Sequence, residues 1–192
     1  TMTADAVAEA VDFLGARLDI SAGDEFAGLT AESLTEHFPR LMAIAADCLM
    51  RPAFKSEEFE KERKNRLDGI AVVKDSPGAA VRAYFTKAYF GSHPLGHLSN
   101  GSEASLKAMT LADVQAFYRS RYRPEKAVAA LVGGMDKRAA LEALNATIGQ
   151  WKAEGKAAPS AAIPPLPGPK GRKLILIDKP DATQAYWILG AP

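Results

Sequence analysis

The apolar residues change their spacing twice within the first 50 residues, and this change constrains the fold more than any other feature of the chain. Helical spacing follows Thr3, alternation follows over 17–22 and again over 26–34, and helical spacing returns over 37–50. Helical spacing buries one side of a helix, whereas alternation buries one face of a strand. The segment is therefore predicted to form a helix, a β-hairpin and a second helix, in an α+β arrangement.

The middle of the chain is predicted to be mainly helical. Capping residues and prolines delimit four further helices, over 56–76, 78–90, 110–123 and 136–151. The segment 91–101 holds too many turn residues for a helix or a strand, so it is predicted to be a surface loop. One apolar run of strand length, 127–132, is predicted to be a central strand of the sheet.

A change in composition divides the chain near its carboxyl end. Residues 152–171 are rich in Ala, Pro and Lys, which is typical of a semi-rigid linker. We therefore predict one domain over 1–151, a linker over 152–171 and the start of a second domain over 172–192. Two strands are predicted in this last segment, over 173–178 and 183–189.

The overall charge excludes some classes of partner. Among 192 residues, 24 Lys and Arg oppose 23 Asp and Glu, so the formal net charge of +1 would not attract nucleic acid or an anionic membrane. No run approaches the roughly 20 apolar residues that a membrane-spanning helix requires. The chain is expected to be soluble, and its alanine-rich composition fits a bacterial cytoplasmic or periplasmic protein.

Four strings in a fixed order carry a resemblance to a known family. They are DFLGARLDISAG, RPAFKSEEFEKERKNRLDGIAVVKDSP, FGSHPLGHLSNGSEASLKAMTLADVQAFYRSRYRP and LVGG. In this order they resemble the pitrilysin/insulinase-type and mitochondrial processing-peptidase-like zinc metallopeptidases, peptidase family M16. The resemblance covers 4–151, and LIDKPDATQAYWILGAP looks like the opening strands of that family's second, homologous domain.

The resemblance implies an architecture and a chemistry. The expected fold is a mostly antiparallel sheet covered by helices, with two such domains forming half of a clamshell. Two halves would enclose an extended polypeptide. In active members a His-x-x-Glu-His helix and a glutamate on a later helix hold zinc, and the motif glutamate activates the attacking water.

The third zinc ligand has no equivalent in this chain. The family's charged helix aligns without gaps on 59–77 and places Gly69 at the position of the ligand glutamate. A glycine offers no donor atom, and the side chain of Asp68 would point about 100° away on a helix. Glu62, seven residues earlier, matches a second acidic position of active members and is interpreted as a remnant of that site or as a surface charge.

The histidines do not form a zinc motif. None of His37, His93 and His97 belongs to a His-x-x-Glu-His string, so the first metal-binding helix is absent from this sequence. His93 and His97 have a spacing of four, but the Pro94 and Gly96 between them argue against a helix and favour a turn. No metal or other cofactor is therefore expected in this chain.

Other catalytic chemistries have weaker signals still. Cys48 lies in an apolar helical run, where a reactive thiolate is disfavoured. Gly133-Gly134 follows an apolar run but lacks the lysine of a phosphate loop. No serine stands in a Gly-x-Ser-x-Gly elbow; those considered are Ser33, Ser92 and Ser99.

Three hypotheses for function follow. The first is a non-catalytic half of a peptidase, which pairs with a homologous half and helps to hold an extended polypeptide in the chamber. The second is a fragment of an active zinc endopeptidase whose His-x-x-Glu-His helix lies upstream of Thr1. The third is a purely structural subunit, comparable with the peptidase-derived core proteins of respiratory complexes.

Overall fold

A computed structural model of the chain describes residues 2–23, 25–160, 162–166, 171–180 and 182–191. Its elements, in chain order, are α1 (Ala4–Phe13), β1 (Arg17–Ala22), β2 (Ala27–Glu32), α2 (Phe38–Met50), α3 (Ser56–Asp75), α4 (Pro77–Phe90), α5 (Glu103–Ala108), α6 (Leu111–Arg121) and α7 (Lys137–Ala146). The chain divides into a first unit, Thr1–Phe54 with Ala112–Ala158, and a second unit, Lys55–Leu111 with Pro159–Pro192. None of the helices described has the combination of length and apolar composition that crossing a bilayer demands.

The predicted helix and hairpin at the start of the chain are confirmed. Thr3 caps α1, because its hydroxyl oxygen accepts a hydrogen bond from the backbone N–H of Ala6 at 3.2 Å. Gly15 follows the helix with a φ of +56°, a conformation that glycine adopts without steric cost. Strands β1 and β2 then pair antiparallel, with Leu18 opposite Ala31.

The apolar core of the first unit lies where α1, α2 and the hairpin meet. Val11 and Leu14 of α1 are buried against Leu41 and Ile44 of α2, and Leu41 has no exposed surface. Leu18, which alternates with polar neighbours on β1, packs against this cluster. Helical spacing therefore identifies the faces that α1 and α2 bury, whereas on β1 Leu18 is half-buried and Ile20, on the same side of the strand, is 59% exposed.

Helix α6 is attached to α2 by an aromatic side chain. The Tyr118 hydroxyl donates a hydrogen bond to the Leu49 carbonyl at 2.6 Å, and the Phe54 ring packs edge-on against Tyr118 with centroids 5.3 Å apart. Burial, with the nearby charge of Glu154, raises the pKa of Tyr118 above its usual value. The phenol therefore stays a hydrogen-bond donor at neutral pH.

In the second unit, charged side chains connect α3 with α5. Glu103 accepts hydrogen bonds from Lys107 at 2.8 Å and from Lys74 of α3 at 2.9 Å. These two ammonium groups, Lys107 first, lower the pKa of Glu103 to about 2. Helix α5 is not predicted from the sequence; a capping box between Ser102 and Ser105 starts it.

The predicted loop after α4 is confirmed, and it folds around a buried histidine. The His93 side chain accepts a hydrogen bond at Nδ1 from the Leu95 N–H at 3.1 Å, and its Nε2 lies 3.0 Å from the Pro164 carbonyl oxygen. Gly96 closes the turn so tightly that a Cβ there would lie 2.6 Å from the Gly91 carbonyl oxygen. The His-Pro-Leu-Gly string thus forms a turn.

Three predicted strands are not formed among the described residues. Residues 127–132, 173–178 and 183–189 contain no paired strand, so β1 and β2 make a two-stranded sheet in the part of the chain that the structure describes. The apolar segment 127–132 is largely exposed, with Val132 99% exposed. A strand requires a neighbouring backbone for its hydrogen bonds, and no described segment supplies one here.

Candidate functional site

Helix α3 presents four polar or small residues on one exposed face. Asn65 and Arg66 are three and four residues after Glu62, and Gly69 is four and three residues after them, so all four lie on the same side of the helix. Together with Asn100 they line an open depression of about 260 Å³. We call this group the α3 depression; it contains both positions that the resemblance to family M16 identified.

The two charged side chains of the α3 depression neutralise each other. Arg66 donates from Nε to Glu62 Oε1 at 2.7 Å and from Nη1 to Asn100 Oδ1 at 3.3 Å. The Arg66 and Glu62 side chains are 49% and 59% exposed, so this pair contributes only a few tenths of a kcal/mol to stability. Its main effect is to fix the guanidinium at one side of the depression.

The donor atoms of the α3 depression do not fit a zinc ion. Zinc requires three or four nitrogen, sulfur or carboxylate donors. Gly69 supplies none, and Glu62 already contacts the cationic Arg66, whose charge would repel a metal ion. In the described ranges no three His, Cys, Asp or Glu side chains converge on a point where they could hold a metal ion.

The structure separates the remaining candidates from the depression. Asp68 lies on α3 next to Gly69 but does not line the depression. His93 has both ring nitrogens within hydrogen-bond distance of backbone groups, and it is buried. His97 ends the turn that follows, and His37 precedes α2.

The candidate thiol shows no sign of activation. Cys48 lies on α2 and packs against the core of the first unit. Burial, and then the neighbouring charge of Asp47, raises the pKa of the Cys48 thiol. A thiol with a raised pKa carries little thiolate at neutral pH and is a poor nucleophile.

Three residues of the α3 depression were missed by the sequence reasoning. Asn65 and Arg66 stand between Glu62 and Gly69 at helical spacing, so this spacing could have identified them once α3 was predicted. Asn100 comes from the loop that precedes α5. Its position beside Arg66 depends on a long-range contact that no local pattern encodes.

Two family models match the chain. The model of the insulinase family, peptidase family M16, matches residues 1–100, and the model of the peptidase M16 inactive domain matches residues 108–192. The chain is 33% identical over 136 residues to an uncharacterized zinc protease of Mycobacterium tuberculosis; the match spans 71% of the chain and 31% of that protein. An uncharacterized zinc protease of Mycobacterium leprae is 28% identical over 193 aligned positions, which span 99% of the chain and 42% of that protein.

A solved structure agrees with these matches. The crystal structure of the peptidase M16 inactive domain from Pseudomonas fluorescens covers 88% of this chain with a TM-score of 0.79 and 25% identity, and the match spans 41% of that protein. The predicted α+β class and the bacterial relationship are thereby confirmed, although the chain spans less than half the length of each of these relatives. Since the first family model covers more than half of its 192 residues, the chain belongs to the insulinase family of peptidases, family M16.

Proposed function

We propose that the chain is a non-catalytic half of an M16-type peptidase, which pairs with a homologous half and helps to hold an extended polypeptide in the chamber between them. Gly69 carries this proposal, because it stands where active members have a zinc-binding glutamate. The ion pair of Glu62 with Arg66 supports it, since the remaining carboxylate already has a cationic partner. Glu62 is accordingly a remnant of the family's acidic site.

The same proposal includes the division of the chain into domains. Residues 1–151 form the first M16-type domain, 152–171 are a linker, and 172–192 begin a second, homologous domain. One boundary between the two units falls inside this linker, between Ala158 and Pro159, but the second unit also contains Lys55–Leu111. The proposed division therefore rests on the composition of 152–171 and on the resemblance to the family.

A zinc and cleavage assay tests the proposal. The purified chain, dialysed against zinc, is expected to retain no stoichiometric metal and to leave an unstructured polypeptide such as casein intact. Mixing it with an M16 subunit that carries a His-x-x-Glu-His helix is expected to yield a stable complex. Stoichiometric zinc, together with cleavage that a chelator stops, would overturn the proposal.

A second candidate is an active zinc endopeptidase whose His-x-x-Glu-His helix precedes Thr1. It is supported by the relatives named zinc proteases, of which the chain covers only a part. Sequencing the gene upstream of Thr1 discriminates between the two candidates. A His-x-x-Glu-His string there, with metal-dependent cleavage by the longer protein, would favour the enzyme; its absence would favour the non-catalytic half.

A further inference from the structure

The loop after α4 and the segment 162–166, both in the second unit, meet at one buried side chain. His93 is only 6% exposed, and its two ring nitrogens contact Leu95 in the loop and Pro164 in the segment. We call these two contacts the His93 tie. We propose that the His93 tie is a pH-sensitive device, which holds 162–166 on the loop while the imidazole is neutral and releases it when the ring gains a second proton.

The folded loop leaves no place for a proton on Nδ1 of His93. This atom accepts a hydrogen bond from the Leu95 N–H at 3.1 Å, while Nε2 lies 3.0 Å from the Pro164 carbonyl oxygen. A neutral imidazole has one acceptor and one donor nitrogen, and the two contacts use each of them once. In an imidazolium both nitrogens donate, so the new proton would be directed at the Leu95 N–H. Protonation is therefore compatible with the contact to Pro164 but not with the contact to Leu95.

The surroundings of the ring provide no carboxylate for an imidazolium. The His93 ring lies beside Phe90 of α4, with centroids 6.2 Å apart, and contacts its own loop and 162–166. None of α4, 91–101 and 162–166 contains an Asp or a Glu. The titratable side chains of these segments are Arg82, Tyr84, Lys87 and Tyr89 on α4 and His97 in the loop. A buried charge without a partner of opposite sign is costly, so the site favours the neutral ring.

The end of α4 does not compensate for this cost. The carboxyl end of a helix attracts cations. Lys87 already lies at this end, where its Nζ donates to the Gly91 carbonyl at 3.0 Å. A positive charge on His93 would add a second cation to the same loop, and like charges repel.

Protonation therefore favours a conformation in which the ring leaves the loop for water. Histidine ordinarily changes its charge between about pH 5 and pH 8, so mild acid is sufficient. The segment depends on the His93 tie because Pro164 and Pro165 have no N–H and can be held only through their carbonyl groups. Once the ring has left, the Pro164 carbonyl loses its donor and 162–166 is released from the loop.

Hydrogen exchange of the unaltered 192-residue chain tests the His93 tie at its Leu95 end. The protection factor of the Leu95 amide corrects for the intrinsic pH dependence of exchange. Uptake of one proton on opening should lower this factor about tenfold from about pH 7.5 to about pH 5.5, on either side of the ordinary histidine value of about 6.5. Amides in the middle of α4 should keep their protection, since the opening is local. An equal Leu95 protection factor at both pH values would overturn the proposal.

The relaxation of ¹⁵N nuclei tests the other end of the tie. The Ile163 and Leu166 amides flank the two prolines and report fast motion of the segment. Their heteronuclear Overhauser effects should fall between about pH 7.5 and about pH 5.5, together with the protection of Leu95. If the segment moves equally at both pH values, the proposed release does not occur.

The variant His93→Asn separates the two contacts. An asparagine oxygen can accept from the N–H two residues further on, as Nδ1 does, but the side chain does not titrate and has no atom at the position of Nε2. The variant should keep the Leu95 amide protected at both pH values and leave 162–166 mobile at both. Circular dichroism shows whether it is folded, and the experiments on the unaltered chain do not depend on it.

The matched control is His97→Asn, which removes an exposed histidine from the same loop. This variant should behave like the unaltered chain in both measurements. If His97→Asn abolishes the pH dependence, or if His93→Asn retains it, another group is responsible and the proposal is wrong.

Discussion

The first unit buries eight of the nine buried apolar side chains among the described residues, whereas the second unit buries Leu106 alone. Helices α3 and α4 of the second unit contain no buried residue. Their neighbours are attached through hydrogen-bonded and charged side chains, such as Glu103 between Lys74 and Lys107. Apolar burial therefore stabilises the first unit, while polar contacts and tight turns define the second.

The largest expected effect is in the apolar core. Leu41→Ala is expected to lower the free energy of unfolding by about 2–5 kcal/mol, because it removes a fully buried side chain and leaves a cavity. Urea denaturation followed by circular dichroism measures this change. Leu141→Ala, at a leucine that is 49% exposed, is the matched control and should cost far less. Both leucines lie in the first unit, so equal losses would contradict the conclusion that its buried core stabilises it.

The next effect is in the turn around His93. Gly96→Ala is expected to cost about 1–3 kcal/mol, because the new Cβ would lie 2.6 Å from the Gly91 carbonyl oxygen and the backbone must shift. Faster hydrogen exchange of the Leu95 amide would report the change locally. Gly133→Ala introduces the same methyl group where no atom lies within 4 Å, and should leave that exchange rate unaltered.

A smaller effect of opposite sign is expected on α3. Gly69→Ala should raise the free energy of unfolding by up to about 1 kcal/mol, because alanine has the higher helix propensity and its methyl group meets open space. Thermal unfolding measures the gain. A lower melting temperature would show that Gly69 is required for the fold.

The smallest effect concerns acid and salt. The pKa of Glu103 is lowered in the folded chain to about 2 from an ordinary value of 4.5, so its contribution is complete above pH 4.5 and is lost as the pH falls toward 2. Glu103→Gln should remove this part of the pH dependence and reduce the salt sensitivity of α5. Hydrogen exchange of the α5 amides at pH 7 and pH 3, each at low and high salt, measures both effects, and an unchanged profile in the variant would refute the assignment.

Local signals made most of the helices predictable. The bounds of α1, α2 and α4 follow from apolar spacing, from the cap at Thr3 and from the proline at Pro77, all of which act within a few residues. Helix α5 was not predicted, because six residues with one buried leucine are too few to show a helical spacing of apolar residues. The run 127–132 has the composition of a strand, yet pairing depends on a neighbour that composition does not specify.

The candidate site was predictable only in part. The resemblance to the family identified Glu62 and Gly69, since both lie on one continuous charged helix. The hydrogen bonds at this site, from Arg66 to Glu62 and from Arg66 to Asn100, depend on the positions of the side chains. The first bond could be predicted, because residues four apart on a helix are neighbours on its surface. The second joins residues that are far apart in the sequence and could not.

The partners of His93 determine where its proton resides. A backbone N–H can only donate, so the nitrogen facing Leu95 must be bare, and a carbonyl can only accept, so the nitrogen facing Pro164 must carry hydrogen. The loop thereby selects a single tautomer of the neutral imidazole. Nitrogen chemical shifts should report the Nε2–H form, and a phenylalanine at this position would fill the space yet leave the Leu95 amide and the Pro164 carbonyl without this connection.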